Sequence, residues 1–543
     1  MNHSTVSISA LSDEMLLTIL MKLNNVDVLY SLIGVNKKLD QLARDITFTR
    51  SIDLVKILSN KKSKSKTKSI LDRFCFDIIP RIQHNIESLT LDRLSIGRVL
   101  CIGNYLKLWK LTLVNLPLKM ACHIFNDESS FIHMFKHQIL HLIIKTNHIK
   151  FSKKKHVATN VFANIFNIFT NLNHFEFGFE DHFEYSPVSL INLSSTIFYS
   201  TSINYLNVTV QYFNDCLCLF DGRFNQLHTV IVKVEIIENS SQIINNKKIV
   251  SNLKCFSLFS PDETIEYDSQ IVPLLQQMSQ LEKLTLSLDV INRTSFIDGT
   301  QLYNDILKNM SHLQSFIFDI VTACFQLKAE LLPSCNDIRR TFIQSGYHMD
   351  CYIDYYKSEE GRCHIYSLPF NMEHMHSITN NFPGGLFMNV RRLFVTDSLH
   401  PFEHYFFARI SLSFPLLISL EISNRHSQKK KFIHQPSELD QTSFIIIYPH
   451  LVELSFFLGN IDYVKQFLLD SNMRLPRLNK LHVNYDELKC ITNNFTNAAA
   501  HAKCAKLKHI TFDTTETKLV YSKNFFLYCS SLEKYGTRNI FLT

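Results

Sequence analysis

Glycine is scarce in this chain, and its twelve glycines are dispersed rather than gathered into a loop, so no phosphate cradle is on offer. There is no Gly-x-x-x-x-Gly-Lys-Ser/Thr run, no Gly-x-Gly-x-x-Gly, no His-Glu-x-x-His and no Gly-x-Ser-x-Gly. The common signatures of nucleotide binding, zinc hydrolysis and serine hydrolysis are therefore missing. The 13 cysteines are odd in number and scattered, no charged and apolar leader precedes Leu11, and no apolar run approaches the roughly 18 residues of a membrane span. These absences predict an intracellular chain, cytoplasmic or nuclear, with no disulfide framework, no membrane contact and no cofactor. Asn192-Leu193-Ser194 and Asn207-Val208-Thr209 then read as chance triplets, since glycosylation requires secretion.

A strong charge bias is lacking too. Against 49 acidic residues stand 56 basic ones, a net +7 that is too small over 543 residues to imply a nucleic-acid partner. Lys61, Lys62, Lys64, Lys66 and Lys68 alternate with Ser and Thr, a composition that buries no apolar area and predicts a solvated linker rather than a nuclear-targeting or phosphate-binding segment. Lys153 to Lys155 and Lys429 to Lys431 read as loop residues. His133, His137 and His141, spaced by four, would share a face on one helix and could hold a metal. His141, however, falls inside the strand-like run Ile139 to Ile144, so surface or satisfied core histidines are expected and no metal site is assigned. Cys216 and Cys218 lack a second pair at zinc spacing and read as buried thiols in strand phase.

What is present is apolar and patterned. With 46% hydrophobic and 19% charged residues the chain can bury a large core, as several domains or one repetitive one. Near the N-terminus, Ser12 can accept from first-turn amides, Asp13 and Glu14 oppose the positive helix end, and Met15, Leu16, Ile19, Leu20 and Leu23 recur at helical spacing. This predicts a helix from Asp13 to Leu23. Asn25 is placed to cap a second helix carrying Val28, Leu29 and Leu32, and Asn36 a third carrying Leu39, Leu42 and Ala43.

Downstream the chain repeats. The unit is Leu-x-x-Leu-x-Leu with apolar substitutions, as in Leu281-Glu-Lys-Leu284-Thr-Leu286 and Leu478-Asn-Lys-Leu481-His-Val483. Further copies begin at Ile86, Leu108, Ile139, Leu172, Ile203, Leu227, Leu253, Leu313, Val390, Leu417, Leu451 and Leu507. Intervals of 26, 28 and 32 residues separate Leu227, Leu253, Leu281 and Leu313, and intervals of 27, 34, 27 and 29 run from Val390 to Leu507. Helical spacing lies between the strands, in Phe162, Ile165, Phe166 and Phe169, in Ile271, Leu274, Leu275 and Met278, and in Leu302, Ile306, Leu307 and Met310. Short strands joined by helical crossovers stack in parallel, so the expectation is a solenoid with concave strands and convex helices. The 77 residues from Leu313 to Val390 break the rhythm. There, two β-rich runs around a polar turn ending in Gly361 predict a hairpin insertion near residues 346–370, read as an extension of the sheet before a dedicated binding loop.

The N-terminal stretch resembles the F-box of SCF ubiquitin ligases: Leu11, Glu14, Met15, Ile19, Leu20, Leu23, Asp27, Leu29 and Val35 follow that family's pattern in order. Ser12 stands where Pro is usual, and Leu39 where a buried Trp is common. The remainder resembles the degenerate leucine-rich repeats that accompany F-boxes, though the usual Asn eight positions after the first Leu is replaced, as at Asp289, Gly459 and Thr515. The resemblance implies an α/β protein divided into an F-box at 1–52, a linker at 53–81 and a leucine-rich-repeat solenoid at 82–543. It implies a non-catalytic target receptor, with Leu11, Ser12, Glu14, Met15, Ile19, Leu20, Leu23, Asp27, Leu29 and Val35 docking a Skp-family adaptor and, through it, a cullin-RING ligase. Strand alternation turns Lys283, Thr285 and Ser287 outward, and likewise Arg392, Phe394 and Thr396, Glu453, Ser455 and Phe457, then Lys480, His482 and Asn484. Of these, Arg392, Phe394, Glu453, Phe457, Lys480 and His482 are the expected contacts for a target protein. An interaction scaffold without ligase activity is the alternative, and a metal-dependent hydrolase a distant third.

Overall fold

The computed structural model describes residues 11–55, 64–126, 128–146, 155–179, 188–191, 193, 199–239, 252–325, 327, 332–343, 346–357, 360–429, 445–513, 521, 523–535 and 540–542. Lys61, Lys62, Lys153, Lys154, Lys430, Lys431, Asn192 and Ser194 lie outside them. The chain divides into two compact units, Met1–Leu288 with Asp305–Phe316, and Asp289–Asn304 with Ile317–Thr543.

The first unit opens with three short helices, α1 (Asp13–Leu20), α2 (Asn25–Leu32) and α3 (Lys37–Ala43), capped by Ser12, Asn24 and Asn36 through their side chains. Helix α1 stops three residues before the expected Leu23. Lys22 N and Leu23 N bond Ile19 O and Leu20 O, which tightens the last turn and hands the second cap to Asn24 in place of Asn25. Leu16, Leu20, Val26, Val28, Leu29, Ile33, Leu42 and Ala43 are buried.

After the one-turn helix α4 (Ile46–Thr49), β1 (Ser51–Asp53) pairs with the first repeat strand, and the lysine run leads into helix α5 (Lys64–Arg73). From Lys64 onward the expected linker is helical. The lysines occupy only its start, whereas Ile70, Leu71, Phe74, Ile78, Ile79 and Ile82 behind them are buried. Arg73 donates to Ile33 O at 3.1 Å and lies 4.7 Å over the Tyr30 ring, on which Phe74 also stacks. The end of α5 therefore fastens the three N-terminal helices to the repeat array.

The repeats build that array in parallel: β2 (Ser88–Asp92), β3 (Lys110–Leu116), β4 (His141–Thr146), β5 (His174–Phe179), β6 (Tyr205–Tyr212), β7 (Thr229–Ile236) and β8 (Cys255–Thr264), each beside the next in chain order. Every one starts two residues after a repeat's leading apolar residue, from Ile86 to Leu253, and those leaders are buried. Alternation supplies the core, for instance Leu111 and Leu113, Leu142 and Ile144, and Phe175 and Phe177. The helix Lys155–Ile168 covers this side, with the Phe162 ring 5.4 Å from that of Phe175 and Phe166 at 5.2 Å. Cys216 and Cys218 fall in the short helix Phe213–Cys218 rather than in a strand, because Asp215 caps its start by accepting from Tyr212 N at 2.9 Å.

Strands β9 (Lys283–Arg293) and β10 (Ser315–Cys324) contribute residues to both units. In the second, β11 (Met349–Lys357) and β12 (Glu360–Ser367) form the expected hairpin, and β12 extends antiparallel along Asp319 to Cys324 of β10. At Gly361 a Cβ would come within 3.0 Å of Tyr355, Leu327 and Phe296, which explains the glycine. The chain continues through β13 (His374–Ile378), β14 (Arg392–Thr396), β15 (Ser419–Ser423), β16 (Ile446–Ile447), β17 (Glu453–Phe456), β18 (Met473–Arg474), β19 (Lys480–Asn484), β20 (His509–Asp513) and β21 (Ile540–Leu542). Seven of them make a parallel sheet in the order β13-β14-β15-β17-β19-β20-β21, and β16 pairs with β18.

Candidate functional site

The residues of the expected adaptor surface separate by helix face. On α1, Met15 and Ile19 are 55% and 44% exposed, Leu23 in the turn after it is 54% exposed, and Val35 before α3 is 59% exposed. Four large apolar side chains are thus left uncovered within one short segment. Leu20 and Leu29, expected on the same surface, are buried instead, at 9% and 0% exposure. They hold the module together and present nothing outward. Ser12 serves as the α1 cap, and Glu14 is exposed with its carboxyl held below the usual carboxylate range by hydrogen bonds to the helix-start backbone and to Ser12. Asp27 sits exposed in the first turn of α2, and Leu11 O accepts from Lys38 Nζ at 2.7 Å.

In the second unit the parallel register assembles the expected target residues from distant sequence. Arg392, Ser419, Glu453, Lys480 and His509 lie side by side on β14, β15, β17, β19 and β20, and Phe394, Glu421, Ser455, His482 and Thr511 form the next row. Between the rows run the buried Leu393, Leu420, Leu454, Leu481 and Ile510. Two expectations fail here. Ser455 is fully buried, its hydroxyl 3.2 Å from His482 Nδ1, because a short side chain between larger neighbours is covered by them. Phe457, though 45% exposed, lies beyond the end of β17 beside Leu458 at φ +51°, so it leaves both rows. In the first unit Ser287 is likewise buried at 4%, while Lys283 is exposed.

His133 lies in the helix Ser130–Phe135 and His141 in β4, so the three spaced histidines share no face. Among the described residues no group of His, Cys, Asp or Glu is arranged to hold a metal ion. No helix among them is long and apolar enough to cross a membrane.

Sequence reasoning missed two features of the second unit. One is a buried polar core: His364 Nε2 is 2.6 Å from Asp319 Oδ1, its Nδ1 is 2.7 Å from Tyr352 Oη, and Arg362 reaches Asp289 at 2.8 Å. Burial drives the Tyr352 hydroxyl far above its ordinary pKa. The other is a cleft of about 360 Å³ lined by Asp354, Tyr355, Asn380, Asp397, His400 and Glu403, in which burial raises the Asp354 pKa. Several of its residues lie just past the carboxyl ends of β13 and β14, and only polar residues scattered after a strand signal it in the sequence.

Comparison with known proteins finds no family model and no curated protein that matches the chain. One structural neighbour is the crystal structure of CroV588, described as a novel circular LRR protein. It is 13% identical, with the match covering 76% of this chain and 51% of that one, at a TM-score of 0.21. The chain thus spans about half the length of that neighbour, and a score so low carries no argument. The assignment to a mixed α/β repeat architecture with mostly parallel strands stands on the strand register itself.

Proposed function

We propose that this chain is a target-recognition subunit of an SCF-type ubiquitin ligase, with α1 to α3 docking a Skp-family adaptor and the outward rows of the second unit binding a target protein. The observation that supports it is the ordered run from Leu11 to Val35 together with the four apolar side chains, Met15, Ile19, Leu23 and Val35, that this run leaves exposed. An apolar helix face uncovered in the free chain is what burial against a partner would stabilise. The chain itself supplies no chemistry in this reading. Holding a target near a charged ubiquitin-conjugating partner raises its effective concentration, and transfer is catalysed elsewhere.

The outward rows fit a protein partner because they mix charge, Arg392, Glu453 and Lys480, with the Phe394 ring and the His482 imidazole. Affinity purification of the full chain, identification of the retained protein, and reconstituted ubiquitination of it with the adaptor and cullin-RING subunits test the proposal. Ubiquitin transfer dependent on this chain is the expected result. Adaptor binding without transfer to any retained protein would instead make the chain an interaction scaffold.

A further inference from the structure

On the outward side of the first unit, three rings, His141, His174 and Tyr205, stack across adjacent strands, and Trp109 meets one end of the stack. Trp109, the only tryptophan of the chain, meets His141 edge-on at 4.8 Å. His141 stacks on His174 at 4.6 Å and 10°, and His174 on Tyr205 at 3.9 Å and 4°. The parallel register places His141, His174 and Tyr205 side by side, with Lys110 next to His141. Rings that stack across the strands have their normals along the sheet, so the direction away from the sheet lies within the ring planes. For His141, His174 and Tyr205, the edges, not the faces, point outward.

The charges around the stack are unequally committed. Glu87 accepts from Arg50 Nε at 2.8 Å and from Trp109 Nε1 at 3.2 Å, and Glu176 is 2.9 Å from His174 Nε2. Asp53 accepts from Val55 N, and Asp92 from Leu94 N and Ser95 N. Each carboxylate on β1 to β5 is therefore answered within the fold. Lys110 and Lys145 make no ion pair or hydrogen bond among the described residues, Lys145 is exposed, and the ring nitrogens of His141 are likewise unengaged there. What this face presents is two lysines without a close ion pair, acting on Glu176 only at longer range, and the N–H edge of His141, around a prebuilt aromatic strip.

We infer that this strip on β3 to β5 is a docking surface for an acidic peptide segment, whose carboxylates accept from Lys110, Lys145 and the His141 ring edge while its backbone lies along the stack. Charge complementarity argues for an anionic partner. The ring geometry selects among anions. Single-stranded nucleic acid binds by laying bases on exposed aromatic faces, and here the inner faces are already filled by one another. The strip does not depend on adaptor docking, so this proposal and the ligase proposal fail independently.

Trp109 supplies a native probe at one end of the strip. Titrating the full chain with a short glutamate-rich peptide should shift its tryptophan fluorescence, and binding should weaken with added salt. The double variant Lys110→Glu, Lys145→Glu should lose affinity by about tenfold or more. If the reversed charges impair folding, Lys110→Gln with Lys145→Gln gives the same test with melting as the control, and a loss of several-fold is expected. Equal binding of a serine and glycine peptide, tighter binding of an oligothymidylate of matched length, or no binding of the acidic peptide to the folded chain would each overturn the inference.

Discussion

The guanidinium of Arg362 on β12 lies 2.8 Å from the carboxylate of Asp289 on β9, two residues 73 apart in sequence that are 12% and 6% exposed in their side chains. Ser377 Oγ donates to the same Asp289 oxygen at 2.9 Å, so the hairpin, β9 and β13 meet at one buried carboxylate. A pair withdrawn from water in this way holds position more than it adds net stability.

Breaking this pair on one side should therefore be costly. Asp289→Ala leaves a buried guanidinium without its partner and should cost about 3 to 5 kcal/mol in denaturant unfolding. Replacing both, Asp289→Leu with Arg362→Met, should cost clearly less than the sum of the single changes. Near-neutral single variants would show that water reaches the pair.

Strand phase has its own test. Leu284 and Leu481 are 1% and 2% exposed, and Ala at either position should cost about 2 to 5 kcal/mol. Lys283 and Lys480, one residue earlier on the opposite face, should tolerate Ala within about 0.5 kcal/mol. Unfolding curves in which the lysine variants lose as much as the leucine variants would contradict the register.

Acid should loosen the first unit through the histidine stack. Burial, then the neighbouring His174 and Lys110, hold the His141 pKa below the ordinary histidine value. The folded state thus favours neutral His141, and the stability this contributes is present above about pH 6.5 and is lost as pH falls from there through the folded value. Glu176 is held below the carboxylate range chiefly by its hydrogen bond to His174, so its contribution persists above roughly pH 4.3 and is lost below it. Melting temperatures should fall between pH 7 and 5, and His141→Phe, which keeps the stack, should flatten that slope. An unchanged slope in His141→Phe would remove His141 from the account.

The strands were legible because burial writes itself into alternation: the leaders from Ile86 to Leu507 each precede a strand by two residues. Strand β13 escaped because Met372 and Met375 fill the leucine places, and the register slips between Met375 and Ile378, where Ser377 takes φ +61°. Helix α5 escaped because its lysines precede the apolar residues that anchor it. On the adaptor surface the pattern named the residues but not their faces, since Ile19 and Leu20 match equally well while only one is exposed. The Arg362 to Asp289 pair and the His364 network join residues whose separation no local period reports.

The account's central claim is that the exposed Met15 and Ile19 of α1, with Leu23 in the turn after it, dock a Skp-family adaptor. The direct measurement is co-purification of the adaptor with the full chain, wild type against Ile19→Asp with Leu23→Asp, with thermal melting as the folding control. Leu20 is left intact because it is buried and charge there would unfold the module. The account predicts a stable complex with the wild type and none with the equally folded double variant. A wild-type chain that fails to retain the adaptor, or a double variant that retains it undiminished, would contradict the claim.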